Sequence, residues 1–133
     1  MGPVSQIPAM DPCPCGTGRP YAACCGPLHD GAPAPTAERL MRSRYAAYAL
    51  GLDDHVFRTW HPRTRPDDVR TDRRRAWLGL DVLRVEAGGE DDEHGVVEFV
   101  ARSREADGAE ERLHETSTFE RRGGRWVYVS AAE

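Results

Sequence analysis

All four cysteines of this 133-residue chain fall in one stretch, DPCPCGTGRPYAACCG, between Cys13 and Cys25. Their spacing, C-x-C-x8-C-C, constrains the chain more than any other feature. Glycines at 16 and 18 permit the tight reversal that carries Cys24 and Cys25 back towards Cys13 and Cys15. Four thiolates that converge form the closed tetrahedral set that suits zinc. A module this small has almost no apolar core, so metal binding would supply most of its folding free energy. A closed site keeps no open coordination position, which points to a structural role and away from catalysis at the metal.

Other uses of the thiols stay open at this point. Two disulfides, an iron–sulfur cluster and a labile site that loads and releases iron or zinc all draw on the same residues. Iron is the alternative to zinc. No C-x-x-C spacing is present for dithiol redox chemistry. His29 is a further potential ligand. Arg19 offsets part of the thiolate charge, and Arg19, Pro20 and Tyr21 form a surface that a protein partner can dock on.

The rest of the chain is long enough to bury a core, with 39% apolar and 30% charged residues. A net charge of −4 argues against a surface built for nucleic acid, contact with a ribosome being the exception. All 18 basic residues are arginine. No apolar run approaches a membrane span, and the first dozen residues have neither the basic nor the apolar region of a secretory signal. The expected location is the cytoplasm, with no membrane partner.

Residues 1–12 read as a flexible lead-in, 13–35 as the metal-binding loop with its linker, and 36–133 as the main domain. Thr36 is placed to cap a helix over 37–50 that Gly51 stops. Asp53 is placed to cap a short helix carrying Val56, Phe57 and Trp60. A polar loop over 62–71 and a helical turn near 72–77 follow. Strands are expected over 78–86, 96–103, 112–121 and 125–130, the first with a phase shift at Val82-Leu83 that marks a bulge or bend. Helices followed by an antiparallel meander give an α+β class in which a bent sheet wraps onto helices.

PCPCGTGRPYAACCG closely resembles the SEC-C motif, the zinc-binding module at the C-terminus of the SecA translocation ATPase. That module ends in Cys-His or Cys-Cys; here it ends in Cys24-Cys25. The resemblance implies Cys13, Cys15, Cys24 and Cys25 as metal ligands. The segments CCGPLHDG, APTAERLMRSRYAAYALG, TWHPRTRP, RAWLGL and LHETSTFERRGGRWVYV extend the likeness to the YchJ-like family of uncharacterised bacterial proteins. That family joins a SEC-C motif to a domain similar to nuclear transport factor 2 (NTF2). The implied fold is a cone, a bent antiparallel sheet closing over helices, often around a pocket. No P-loop is present, so the resemblance carries no translocase activity.

Polar residues available to such a pocket include Arg42, Arg44, Tyr45, Tyr48, Trp60, Trp77, Glu115, Ser117 and Trp126. On the third strand Leu113, Glu115, Ser117 and Phe119 share one face, and His114 lies on the other. Two functional classes follow. The first is a non-catalytic binding protein, whose loop docks a protein (by analogy a ribosome or chaperone) and whose cone, lined by Arg42, Tyr45, Trp60, Glu115, Ser117 and Trp126, takes a small ligand or protein segment. The second is a small acid–base enzyme of lyase or isomerase type, with Glu115, His61 or His114 as the acting group. A homodimer is compatible with either.

Overall fold

The computed structural model describes residues 8–132. The lead-in expected over 1–12 falls in part on residues 1–7, outside the described residues. Its remainder is fastened. The Tyr21 amide donates to the Asp11 carbonyl at 2.8 Å and the Cys13 amide to the Arg19 carbonyl at 2.9 Å, while Pro12 and Pro20 form an isolated bridge. Residues 8–12 are thus one arm of the cysteine loop, because backbone groups beside buried thiols need partners of their own.

A 3-10 turn at Tyr21–Ala23 and a short helix α1, Cys25–His29, occupy what the pattern predicts as loop and linker. Helix α2, Ala37–Leu50, starts and stops where the sequence places it. Thr36 Oγ1 accepts from the Arg39 amide at 3.1 Å, and Gly51 closes the helix with a left-handed φ of 75°. Such a cap is worth about 1 kcal/mol. Helix α3, Asp53–Arg58, differs from expectation at both ends: Leu52 holds the cap position, and Trp60 lies beyond the helix in a bridge to Tyr128. The Asp53 carboxylate instead accepts from the amide and hydroxyl of Thr71, at 3.0 and 2.7 Å. Those bonds hold its carboxyl below the usual range and tie the 62–71 loop to the domain.

The predicted helical turn near 72–77 is a single turn closed by Arg75 N–H on the Asp72 carbonyl, so Trp77 stands on a strand. Strands β1 (Ala76–Ala87), β2 (His94–Arg104), β3 (Glu110–Arg122) and β4 (Arg125–Ala132) form an antiparallel meander in that order. The β1–β2 register slips between Trp77 and Gly79 and again between Val82 and Arg84, the second at the predicted phase shift. A third slip, between Thr118 and Phe119, had no signal in the hydrophobic pattern. Bulges add twist and bend.

The fold is the expected α+β cone. The inner side of the sheet, through Val97, Ala101, Phe119 and Trp126, packs on Leu40, Met41, Tyr45 and Ala46 of α2. The four cysteines belong to that same buried cluster. The loop is therefore one wall of the core. No helix among the described residues is long and apolar enough to cross a membrane.

At the β1–β2 turn the packing reaches the backbone. A Cβ at Gly95 would lie 2.6 Å from Gly88 Cα and 3.0 Å from Ala37 Cβ. Gly95→Ala should therefore cost about 1–3 kcal/mol by overpacking. Urea denaturation would show a lower midpoint at unchanged slope.

Beneath α1 two histidines are buried against Ser43. His29 Nε2 lies 2.9 Å from the Ser43 carbonyl and must donate to it; Nδ1 then accepts from Tyr21 Oη–H at 2.5 Å. The Ser43 hydroxyl donates to the Leu40 carbonyl, so it accepts from His55 Nε2–H at 2.9 Å. Burial lowers both pKa values, that of His55 to about 3. Above the unfolded-chain value of about 6.5 both states are neutral and neither histidine penalises folding. As pH falls below it, the unfolded chain takes up protons that the folded protein refuses, so stability is lost progressively down to the folded pKa. His55 alone should remove about 2 kcal/mol between pH 7 and pH 5. His55→Gln should flatten that part of the stability–pH curve; equal slopes in the two proteins would exclude His55 as the source.

Candidate metal centre and cone pocket

The candidate metal centre is built by the reversal at Gly16 and Gly18, with φ of 86° and 83°. Only glycine enters this region freely. The four Sγ atoms lie within 4.8 Å of one another. A zinc–thiolate tetrahedron with bonds of about 2.3 Å has sulfur–sulfur edges of about 3.8 Å, so the donors fit the ion. Cys15 and Cys24 are 3.5 Å apart at sulfur, and all four cysteines are free thiols, which sets the disulfide reading aside. His29 is committed to Tyr21 and Ser43 and is not a ligand.

Each cysteine is at most 4% exposed. Hydrogen bonds from its neighbours hold the Cys15 thiol down as the thiolate. The same crowding pushes Cys13 up to about 11 and Cys25 far above the ordinary thiol range. A divalent cation supplies the charge that lets such thiols release their protons together.

Three residues support this centre that the sequence pattern did not assign to it. Thr17 Oγ1 lies 3.1 Å from Cys24 Sγ and 3.7 Å from Cys15 Sγ. Arg39 donates to the Cys24 carbonyl at 3.1 Å, and Arg42 to the Cys15 carbonyl at 2.8 Å. Their i, i+3 spacing on α2 puts both guanidiniums on the face that meets the loop. They, and not the exposed Arg19, bring positive charge against the thiolate cluster. Tyr21 also departs from expectation, for it is 7% exposed and points inward to His29.

The cone contains a cavity of 320 Å³ between α2 and the concave face of the sheet. Of the residues expected there, Arg44, Tyr45, Tyr48, Trp60, Trp77, Glu115 and Ser117 meet in it. Arg42 does not, because it is bound to Glu38 and the cysteine loop. Trp126 does not either; it is 2% exposed, lies under the Arg121 guanidinium, and faces a different cleft. His114 stands on the outer face, 2.7 Å from Glu98. His61 lies outside the pocket, with Nδ1 accepting from the Arg63 amide and Nε2 3.7 Å from Glu120.

Glu115 is the polar centre of the pocket. Its Oε2 accepts from Ser117 Oγ–H at 2.5 Å and from Tyr128 Oη–H at 3.2 Å. Burial, and then the Glu115 charge, raise the Tyr128 pKa, so that hydroxyl stays a donor. Both hydroxyls use the same oxygen, which leaves Oε1 for a ligand donor. Arg44, 6% exposed, donates to the Val56 carbonyl at 3.0 Å and to Thr59 Oγ1 at 2.8 Å. It also lies 5.0 Å from the Trp60 ring centre and 4.7 Å from that of Tyr128. Burial lowers its pKa to about 10, so it remains a cation at neutral pH.

Comparison with known proteins agrees with both parts. Residues 11–27 match the SEC-C motif and residues 36–131 the middle NTF2-like domain of YchJ. A UPF0225 protein of Chromobacterium violaceum is 55% identical over 131 residues, covering 95% of this chain and 96% of its own. One from Deinococcus radiodurans is 50% identical over 127 residues, covering 95% and 92%. The solution structure of a SEC-C motif containing protein from Rhodopseudomonas palustris superposes with a TM-score of 0.77 at 37% identity, over 92% of this chain and 98% of that one. A crystal structure of a SEC-C motif containing protein from Psychrobacter arcticus gives 0.74 at 27% identity, over 94% and 85%. With the thiol cluster at the matched motif and the bent sheet at the matched domain, the chain belongs to the UPF0225 family, a SEC-C motif joined to a YchJ-type NTF2-like domain.

Proposed function

We propose that this chain is a non-catalytic binding protein whose loop is locked by one zinc ion and whose cone receives a small ligand. The observation that carries the reading is the 320 Å³ cavity itself, walled by aromatic rings and holding one carboxylate and one guanidinium. Such a lining suits a flat, mostly apolar ligand with a hydrogen-bond donor for Glu115. Four buried thiolates in a closed set suit a structural zinc ion, and metal analysis separates it from iron, which the same donors accept. The exposed side of the loop, including Arg19, Ala22 and Ala23, is the surface offered to a protein partner.

Native mass spectrometry of the gently purified protein should show one zinc per chain and a small molecule that leaves on unfolding. Glu115→Gln should weaken rebinding of that molecule about tenfold, since a charge-assisted hydrogen bond is lost. A cone that takes up nothing would sink the proposal. The acid–base alternative rests on the same carboxylate. It requires the recovered molecule to be converted by wild-type protein but not by Glu115→Gln.

A further inference from the structure

We infer a second ligand site, on the other side of Trp60 from the cone pocket, that takes a compact organic anion of charge two or more. A cleft of 510 Å³ opens between α1, the 31–34 linker, α3 and the β3–β4 turn. Four arginines from separate segments line it: Arg58 on α3, Arg65 in the following loop, Arg122 at the end of β3 and Arg125 at the start of β4. No aspartate or glutamate lines it.

The absence of counter-charge is informative in this chain, which has 22 acidic residues and 18 arginines. Elsewhere on the surface most arginines lie beside carboxylates, as Arg63, Arg73, Arg75, Arg84 and Arg104 do, with the exposed Arg19 and Arg112 as exceptions. None of the four in the cleft forms an ion pair among the described residues. Three are held in place through carbonyls instead, Arg65 by that of Phe57 at 3.4 Å. Arg125 donates to Gly31 at 2.9 Å and Arg58 to His29 at 3.4 Å. Arg65 is stacked on Phe57, 3.8 Å from the ring centre. Carbonyls and a ring fix guanidiniums without neutralising them, and each keeps N–H donors for a ligand.

Convergent guanidiniums recognise phosphate and carboxylate oxygens through paired N–H donors. A single carboxylate would leave most of this charge unmatched, so the fitting ligand carries at least two negative charges. Most of the remaining wall is apolar, with Leu28, Pro33, Pro62, Trp126 and Val127 beside His55 and Thr59, and accepts a flat organic body. The volume is that of a small-molecule site. A phosphate monoester and a polycarboxylate share this chemistry.

The test is a calorimetric titration of the full-length zinc-loaded chain, at constant ionic strength, with adenosine monophosphate, inorganic phosphate and citrate. Saturable binding of one adenosine monophosphate or one citrate per chain is expected, at least tenfold tighter than inorganic phosphate. The tighter of the two identifies the ligand as phosphate ester or polycarboxylate. Arg122→Gln, at an exposed residue, should weaken it about tenfold, and adding Arg125→Gln should weaken it further. Arg70→Gln, whose arginine pairs with Asp68 away from the cleft, should leave it unchanged. Thermal melts of each variant separate lost binding from lost folding, and Arg122→Gln alone serves where Arg125→Gln does not fold. No saturable binding by any of the three probes, equal weakening by Arg70→Gln, or parity with inorganic phosphate would overturn the assignment.

Discussion

Replacing Cys24 and Cys25 together by serine should abolish the proposed zinc binding and lower the Tm by about 15 °C or more. The size follows from where the thiols sit. Cys24 and Cys25 are 1% and 0% exposed and share a cluster with Leu40, Met41, Phe119 and Trp126. Serine leaves hydroxyls in that place, which are poor zinc ligands and costly to bury unpartnered. Around them the anchors from Arg39 and Arg42 lose a fixed target, and α1 loses the thiol anchor at its first residue. A loss of about 4 kcal/mol is a conservative sum for a chain of this length. Differential scanning calorimetry with a metal assay reads both effects. Were the loop an independent appendage, the main transition would survive at its original temperature. That result would remove the loop from the domain core.

The same contrast shows what a sequence can and cannot convey. Helix α2 was legible because Thr36 and Gly51 act locally, through a cap bond and a left-handed backbone. The bend in β1 was legible because a bulge shifts the alternation of side chains along the strand itself. The cysteine cluster was legible for a similar reason, since spacing and glycines confine four thiols to one reversal. Arg42 was misplaced because its helical face cannot be assigned until it is known that the loop folds back onto α2. Trp126 sits on β4, where the slip after Thr118 alters which inner residues reach the cone. Asp53 looked like a cap because capping is local, whereas its actual partner, Thr71, is 18 residues away. The four arginines of the cleft come from four segments and become a group only in three dimensions.

Arg44→Ala should destabilise the fold by about 3–5 kcal/mol, whereas Arg44→Met should cost much less. The guanidinium is a buried cation, and it links α2 to the end of α3 through the Val56 carbonyl and Thr59. Truncation removes that link, leaves a carbonyl without its donor, and opens a hole between the rings of Trp60 and Tyr128. Methionine refills much of the hole and removes the charge without leaving a cavity. The pair of variants thus separates packing from charge, and urea denaturation measures the difference. Ligand binding should divide them in another way. Both lack the cation beside Glu115, so both should alter uptake by the cone, even where Arg44→Met folds as stably as the parent. An Arg44→Ala protein within about 1 kcal/mol of wild type would contradict the structural role given to the buried guanidinium. If Arg44→Met bound the cone's ligand with wild-type affinity, the charge would be structural, and recognition in the pocket would rest on Glu115 and its hydroxyl partners.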